Sequence, residues 1–394
     1  MRKLNKLSKK RKKLVIGLMS GTSLDGVDAS LVEIKNFGVK TKFKELYFNS
    51  YPYPQKLRDV ILENSLPGKG TVNQICELNI LLGKMYAKAV ENICREYGIS
   101  VSDIDLIGSH GQTIHHLPKS KRMFGNDIRA TLQIGDPTVI AKLTGIVTVG
   151  DFRTGDMALD GQGAPLVPYF DYISFRSNRT NRALLNIGGI ANITLLKKKC
   201  KLDDVIAFDT GPGNMMIDYL MKKLFNRKFD KDGSTASRGE VNKKLFEKLI
   251  RLDKFLDAEP PKSTGREYYN QDFIDKAING FSDFKKVDIV RTFSEFTSYA
   301  VFYNYQKFLR PECEIAELLV SGGGAKNKYF VTSLQNYFGN RVRVKTIDGK
   351  IMSSDSKEAI CFAILANENI SENPANIPRV TGASTPTVLG KICL

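Results

Sequence analysis

GLMSGTSLDGVDA, residues 17–29, is the stretch on which the reading of this chain turns. An apolar run, KLVIGLM, enters it and a second, ASLVEI, leaves it, so residues 14–20 and 27–34 are expected as the two strands of a hairpin. Between them lie Gly21, Thr22, Ser23, Leu24, Asp25 and Gly26. Glycines let backbone N–H groups close around an anion, and hydroxyls add donors, so this loop is a candidate phosphate cradle.

Three more Gly-rich turns follow apolar runs: IGGIAN (187–192), DTGPGN (209–214) and SGGGAKN (321–327). Two of the four turns open hairpins and two open helices, whose free N–H groups would add to the cradle. The sequence GxxxxGK[ST] does not occur, and Asn327 stands where a GxGxxG fingerprint needs its third glycine. A P-loop enzyme and an ordinary dinucleotide-binding dehydrogenase are thereby excluded.

Around these turns strand and helix patterns alternate, which indicates α/β layering. Residues 71–97 carry Ile75, Leu78, Leu82, Met85, Ala89 and Ile93 at helical steps, with Gly98 as a stop. Residues 106–107 read as a short strand leading into a polar turn at 108–113, 135–145 as a short helix, and 146–153 as a strand. A second cycle starts at RALLNIGGIANITLL (182–196), which is again strand, Gly turn, strand. A strand at 205–214, a helix from 215, a helix at 287–309 with an aromatic stripe, a strand at 316–321 and a last helix at 353–367 complete it. With 394 residues the chain is long enough for two domains.

The apolar fraction is 42% and the charged fraction 26%, as in globular proteins, and no apolar run approaches the length of a membrane span. Of the net charge of +17, eight positive charges lie in residues 1–13, expected as a basic disordered tail. Cys76, Cys94, Cys200, Cys313, Cys361 and Cys393 are scattered, without CxxC or zinc spacing, which points to a reducing cytoplasm. All three histidines, His110, His115 and His116, lie within seven residues, but no Cys or acidic cluster accompanies them, so zinc is not expected.

GLMSGTSLDGVDA, IGSHGQTIHH, DFRTGDMALDGQGAPLVP, LLNIGGIAN, FDTGPGNMMID, PPKSTGRE and LLVSGGGAKN occur in this order, followed by SKEAICFAILAN and TGASTPTVLGKI. In this set the chain resembles the anhydro-N-acetylmuramic acid kinase family, over nearly everything after the basic tail. The resemblance implies an α/β fold of two ribonuclease-H-like (actin-like ATPase) domains with a nucleotide cleft between them. It places domain I at 14–150 plus 350–394 and domain II at 151–349. It implies a phosphotransferase that uses ATP and Mg²⁺, acts on a small anhydrosugar in the cytoplasm, needs no nucleic acid or membrane, and is often a homodimer.

The same resemblance assigns roles. Asp209 of FDTGPGN would be the general base. Residues 21–28, down to Val27 and Asp28, would bind the ATP phosphates together with Gly188, Gly189, Gly211, Gly213, Gly322, Gly323, Gly324 and Asn327. Asp25 and Glu358 would organise Mg²⁺. Arg153, beside Asp151, would reach the sugar or the transferring phosphoryl group, and a guanidinium suits a lactyl carboxylate and a phosphate equally. His110 and Gln112 of SHGQT would lie near the substrate. The chain departs from the family pattern at LDGQG (159–163), where Asp160 replaces a glycine; aspartate is among the residues that tolerate positive φ. The implied function is hydrolytic phosphorylation of 1,6-anhydro-N-acetylmuramic acid to N-acetylmuramic acid 6-phosphate in cell-wall recycling. A levoglucosan-type kinase shares the motifs and stays open at this point. So does a non-enzymatic sugar-binding or nucleic-acid-associated protein on the same fold, which would be expected to have lost Asp209.

Overall fold

A computed structural model describes residues 2–21, 23–281, 284–349 and 352–394. The chain divides into two compact units, Met1–Ile173 with Gly349–Leu394, and Ser174–Asp348. The first boundary, expected at 150/151, thus falls between Ile173 and Ser174. Residues 151–173 stay with the first unit because Asp156 is buried there, accepting hydrogen bonds from Asn376 (2.8 Å) and Thr381 (2.7 Å).

The first unit opens with α1 (Arg2–Lys9) and carries strands β1 (Lys12–Ser20), β2 (Gly26–Lys35), β3 (Lys42–Pro52), β4 (Leu106–Met123), β5 (Asn126–Ile134) and β6 (Thr148–Gly150). Its helices are α2 (Gln55–Asn64), α3 (Val72–Tyr97), α4 (Pro137–Thr144) and α5 (Thr154–Met157), and α6 (Val167–Phe175) runs into the second unit. The second unit holds β7 (Arg182–Ile187), β8 (Ile190–Leu196), β9 (Ile206–Pro212), β10 (Glu317–Ser321) and β11 (Arg343–Thr346). Its helices are α7 (Met215–Phe225), α8 (Lys243–Leu252), α9 (Gln271–Ile278), α10 (Lys286–Asn304) and α11 (Lys328–Phe338). The chain then returns to the first unit with α12 (Lys357–Ile370), α13 (Pro378–Thr381) and β12 (Lys391–Cys393).

The two sheets share one topology. In the first, the order is β12-β6-β4-β1-β2-β3, with β5 paired to β4; β1, β2 and β3 are antiparallel neighbours, and β4 and β6 extend the sheet in parallel. In the second, the order is β11-β10-β7-β8-β9, with β7, β8 and β9 antiparallel and β10 and β11 added in parallel. The duplication expected from the repeated strand–turn–strand pattern is therefore present as a repeated sheet order.

Local chemistry explains the elements that the sequence announces. Thr71 caps α3 by accepting from the Gln74 N–H, and Gly98 ends it in the left-handed conformation. Asp136 caps α4, with Pro137 in its first turn. The aromatic stripe of α10 is core: Phe293, Phe296 and Ala300 are fully buried. Two expectations fail. The basic segment 1–13 is not a disordered tail: Arg2–Lys9 is helical, Leu7 is buried, Lys10 pairs with Asp105 at 2.7 Å, and the buried Lys13 donates to Asn367 at 3.0 Å. The supposed turn at 108–113 lies within the first half of β4, whose residues pair with β1 and β5 and, at Ile107 and Gly108, also with β6. Its distal half forms a long hairpin with β5.

Gly17 of β1 and Gly108 of β4 face each other in register, and α12 lies directly on them. A Cβ at Gly17 would come within 1.8 Å of the Ala359 carbonyl oxygen, and one at Gly108 within 2.1 Å of the Phe362 carbonyl oxygen. Backbone cannot yield as a side chain can, so Gly108→Val is expected to destabilise the first unit by about 3 kcal/mol or more. Urea unfolding should show a lowered midpoint; an unchanged midpoint would mean that the helix is not held at this distance.

Candidate active site

In the first unit the loop between β1 and β2 is braced from below. Leu24 has φ of 60° and a buried side chain, and its N–H donates to the Gly21 carbonyl at 3.2 Å. The Ser20 hydroxyl shares its one proton between the Gly26 carbonyl at 2.8 Å and Gln112 Oε1 at 2.6 Å, while Gln112 Nε2 donates to the Gly21 carbonyl at 3.3 Å. The loop is thus pinned at Gly21 and Gly26, and an anion cradle needs such fixed ends. Thr22 lies outside the described residues. Gln112, expected near the substrate, is fully buried, and its amide is spent on this bracing.

His110 is corrected in the same way. Its ring is buried; Nδ1 donates to the Gly111 carbonyl at 2.9 Å, and Nε2 accepts from Arg153 Nε (3.1 Å) and Nη2 (2.9 Å). Both ring nitrogens are engaged, so the imidazole orients Arg153 and has no nitrogen left for a sugar. Burial, with the neighbouring guanidinium, holds its pKa well below the ordinary histidine value, so it is a neutral acceptor. Arg153 Nη1 donates to the Gly163 carbonyl at 2.7 Å. Three of its five N–H groups are thus committed, and two are left for an incoming anion. Among the described residues no carboxylate lies within ion-pair distance of Arg153. Asp151, with φ of 53°, is tied to Lys391 and Thr154, both at 2.5 Å.

The acidic groups sort by environment. Asp25 is exposed and pairs with Arg58 at 2.9 Å. Asp28 is partly buried, hydrogen-bonded by the Ser50 hydroxyl; burial raises its pKa, and Asp355 and Asp25 raise it further. Glu358, in the first turn of α12, is raised by burial and by Asp28, against the pull of Lys357 and Arg153. Among the described residues no group of three or more Asp, Glu, His or Cys side chains is gathered to hold a metal by itself. Mg²⁺ does not need such a cage, since it keeps waters and takes phosphate oxygens.

In the second unit three Gly turns converge. Gly213 and Met215 donate to the Gly189 carbonyl at 2.9 and 3.2 Å, and Asn214 donates to that of Gly188 at 2.8 Å. A Cβ at Gly213 would lie 2.3 Å from the Gly188 carbonyl oxygen. Gly322, at φ of 79°, fits against Asn186 and Ile187, and Gly324 against Ile187. The turns 187–190, 211–214 and 322–324 therefore form one backbone-lined surface. Asn327 caps α11, its side-chain oxygen accepting from Tyr329 (3.0 Å) and Phe330 (3.3 Å), so it shapes this surface through the helix start. Against it lies Gly233, where a Cβ would meet Asn327 Oδ1 at 2.2 Å. The loop 230–236 thus packs on the start of α11.

Asp209 stands near the end of β9, two residues before Gly211. Its carboxylate accepts from the Thr264 N–H at 2.9 Å and from the Ser263 hydroxyl, and its own N–H donates to the Lys262 carbonyl at 3.1 Å. Burial outweighs these bonds and pushes its pKa from 3.8 up to about 6, with Glu267 adding to the rise and Lys262 opposing it. A carboxylate poised there is ionised at neutral pH and basic enough to accept a proton. The clamp comes from PPKSTGRE, a motif visible in the sequence but given no role there.

The profile of the anhydro-N-acetylmuramic acid kinase family matches residues 13–394. The chain is 46% identical to the anhydro-N-acetylmuramic acid kinase of Caldanaerobacter subterraneus subsp. tengcongensis, over the whole of both chains. It is 42% identical to that of Clostridioides difficile, covering 96% of this chain and 97% of the relative, and 42% identical to that of Salinibacter ruber, covering 98% and 97%. The chain therefore belongs to the anhydro-N-acetylmuramic acid kinase family.

Proposed function

We propose that this chain uses ATP to phosphorylate O6 of 1,6-anhydro-N-acetylmuramic acid while water opens the 1,6 bridge, giving N-acetylmuramic acid 6-phosphate in cell-wall recycling. The observation that carries the reading is Asp209: a clamped, partly buried carboxylate with a pKa of about 6, near the junction of the Gly turns. The anhydro sugar has no 6-hydroxyl proton to remove, because O6 is bonded to C1. The base must therefore take a proton from water as that water attacks C1, and the C1–O6 bond must break as O6 takes the γ-phosphoryl group. Asp209 holds and orients that water and receives its proton. The backbone N–H groups of the Gly turns bind the phosphates, and Arg153 offers its two uncommitted N–H groups to the sugar carboxylate or the phosphoryl oxygens.

Mg²⁺ would neutralise charge on the nucleotide phosphates. Glu358, together with Asp28, suits it, since both carboxylates are held where burial disfavours their charge and a cation would relieve it. Asp25 suits it less, being exposed and already paired with Arg58. Among the described residues no helix is long and apolar enough to cross a membrane, and we place the enzyme in the cytoplasm, where ATP is available. ADP release measured with 1,6-anhydro-N-acetylmuramic acid and with levoglucosan side by side tests the substrate. Strong preference for the former is expected; preference for levoglucosan would overturn it, and turnover with neither would overturn the enzyme reading.

A further inference from the structure

Behind Asp209 lies a charged group that the reaction as written does not use. Lys262 is only 8% exposed. Its ammonium donates to the carbonyls of Phe255 (3.1 Å) and Leu256 (3.2 Å), on the short turn Lys254–Asp257. It also stands over three rings, Phe255 and Phe308 at 4.8 Å and Phe208 at 5.8 Å. Among the described residues no carboxylate lies within ion-pair distance of it. Stripping an ammonium of water is costly, and a box of aromatic faces and carbonyls offsets that cost only when the group is held in place.

The position of the box gives it a consequence. The Lys262 carbonyl accepts the Asp209 N–H, and two residues later the Thr264 N–H donates to the Asp209 carboxylate. Residues 262–264 therefore grip Asp209 at its backbone and at its side chain, and the Lys262 side chain fastens that grip to the 254–257 turn. We infer that Lys262 is a positioning residue for the general base: its boxed ammonium anchors segment 262–264 and so fixes the carboxylate of Asp209. The inference rests on Asp209 being the base.

Removing the ammonium should act on Asp209 in two ways with the same sign. A loosened Thr264 N–H stabilises the carboxylate less, and a nearby positive charge is lost. Both raise the pH at which Asp209 becomes active. The other groups facing Asp209 are Ser263, Glu267 and Tyr269, and those facing Lys262 are Asp253, Asp257, Glu259 and Lys307; none of them changes.

The test is the pH profile of kcat/KM for the full-length enzyme, with Lys262→Met and Lys262→Arg measured beside the parent. Methionine keeps the bulk and the aromatic contact and removes the donors and the charge. For Lys262→Met, kcat should fall about tenfold through misplacement of the base, with KM for ATP within about twofold of the parent. The acid limb should move to higher pH, and Lys262→Arg should recover part of both changes. An acid limb unmoved in Lys262→Met overturns the inference, whatever happens to kcat. Should that variant not fold, Phe308→Leu opens one wall of the box and leaves every donor in place; a raised acid limb is expected there, and an unmoved one overturns the inference. Asp209→Asn in the same series separates the claims. Near-parental turnover would overturn the base assignment itself, whereas an inactive Asp209→Asn beside an unmoved Lys262→Met overturns the anchoring alone.

Discussion

Asp209→Asn is expected to lose turnover by at least about a hundredfold and, at neutral pH, to make the ligand-free protein more stable. The two effects share one cause. The folded protein holds this carboxyl at about 6 against 3.8 for a free aspartate, so between roughly pH 4 and 6 the folded state binds more protons than the unfolded state. Stability from this group therefore falls as pH rises through that window. Above it the shift amounts to a cost of about 3 kcal/mol. Asparagine accepts the Thr264 N–H equally well but carries no charge to bury, so the cost disappears together with the basicity. The parent enzyme should show kcat/KM rising with pH up to about 6 and levelling above it. Thermal unfolding of the two proteins at pH 5 and pH 8 checks the linkage: the advantage of the variant should grow with pH. An advantage that shrinks with pH would mean that Asp209 is not held in a charge-disfavouring site.

Arg153→Lys should be nearly as damaging. The guanidinium binds His110 through two N–H groups and the Gly163 carbonyl through a third, a planar arrangement that an ammonium cannot reproduce. We expect kcat/KM to fall at least about a hundredfold, with KM for ATP little changed. Comparing sugars assigns the two remaining N–H groups. A loss specific to the carboxylate-bearing anhydro-N-acetylmuramic acid places them on the lactyl group, whereas an equal loss in kcat for levoglucosan places them on the phosphoryl group. A variant within a few-fold of the parent on both sugars would remove Arg153 from the site.

Much of the fold was legible because it is written in local pattern. The β1–β2 hairpin follows from two apolar runs around a polar Gly loop, α3 from Thr71 and Gly98 at its ends, and the duplicated sheet from the recurrence of that hairpin as β7–β8. What was not legible depends on partners distant in sequence. SHGQT looks like a turn because it is polar and carries a glycine, yet it is a strand interior in which the Gln112 side chain is taken up by Ser20 and Gly21 and that of His110 by Arg153. The partners that engage His110 and Gln112, both expected near the substrate, are therefore not announced by any local pattern. The basic N-terminus was read by its charge density, which hid the spacing that lets Leu7 pack. Asp209 could be found from its motif, but its clamp, supplied by Thr264, is 55 residues away and is set by the fold alone.

The central claim is that Asp209 directs water to the sugar and not to the phosphate, and the fate of an oxygen label tests it. Turnover in ¹⁸O-labelled water with ATP and 1,6-anhydro-N-acetylmuramic acid, followed by mass spectrometry of promptly quenched product, locates the incoming oxygen. The account predicts one ¹⁸O at C1 of N-acetylmuramic acid 6-phosphate and none in its phosphate. Label in the phosphate, or a product without label, would contradict it.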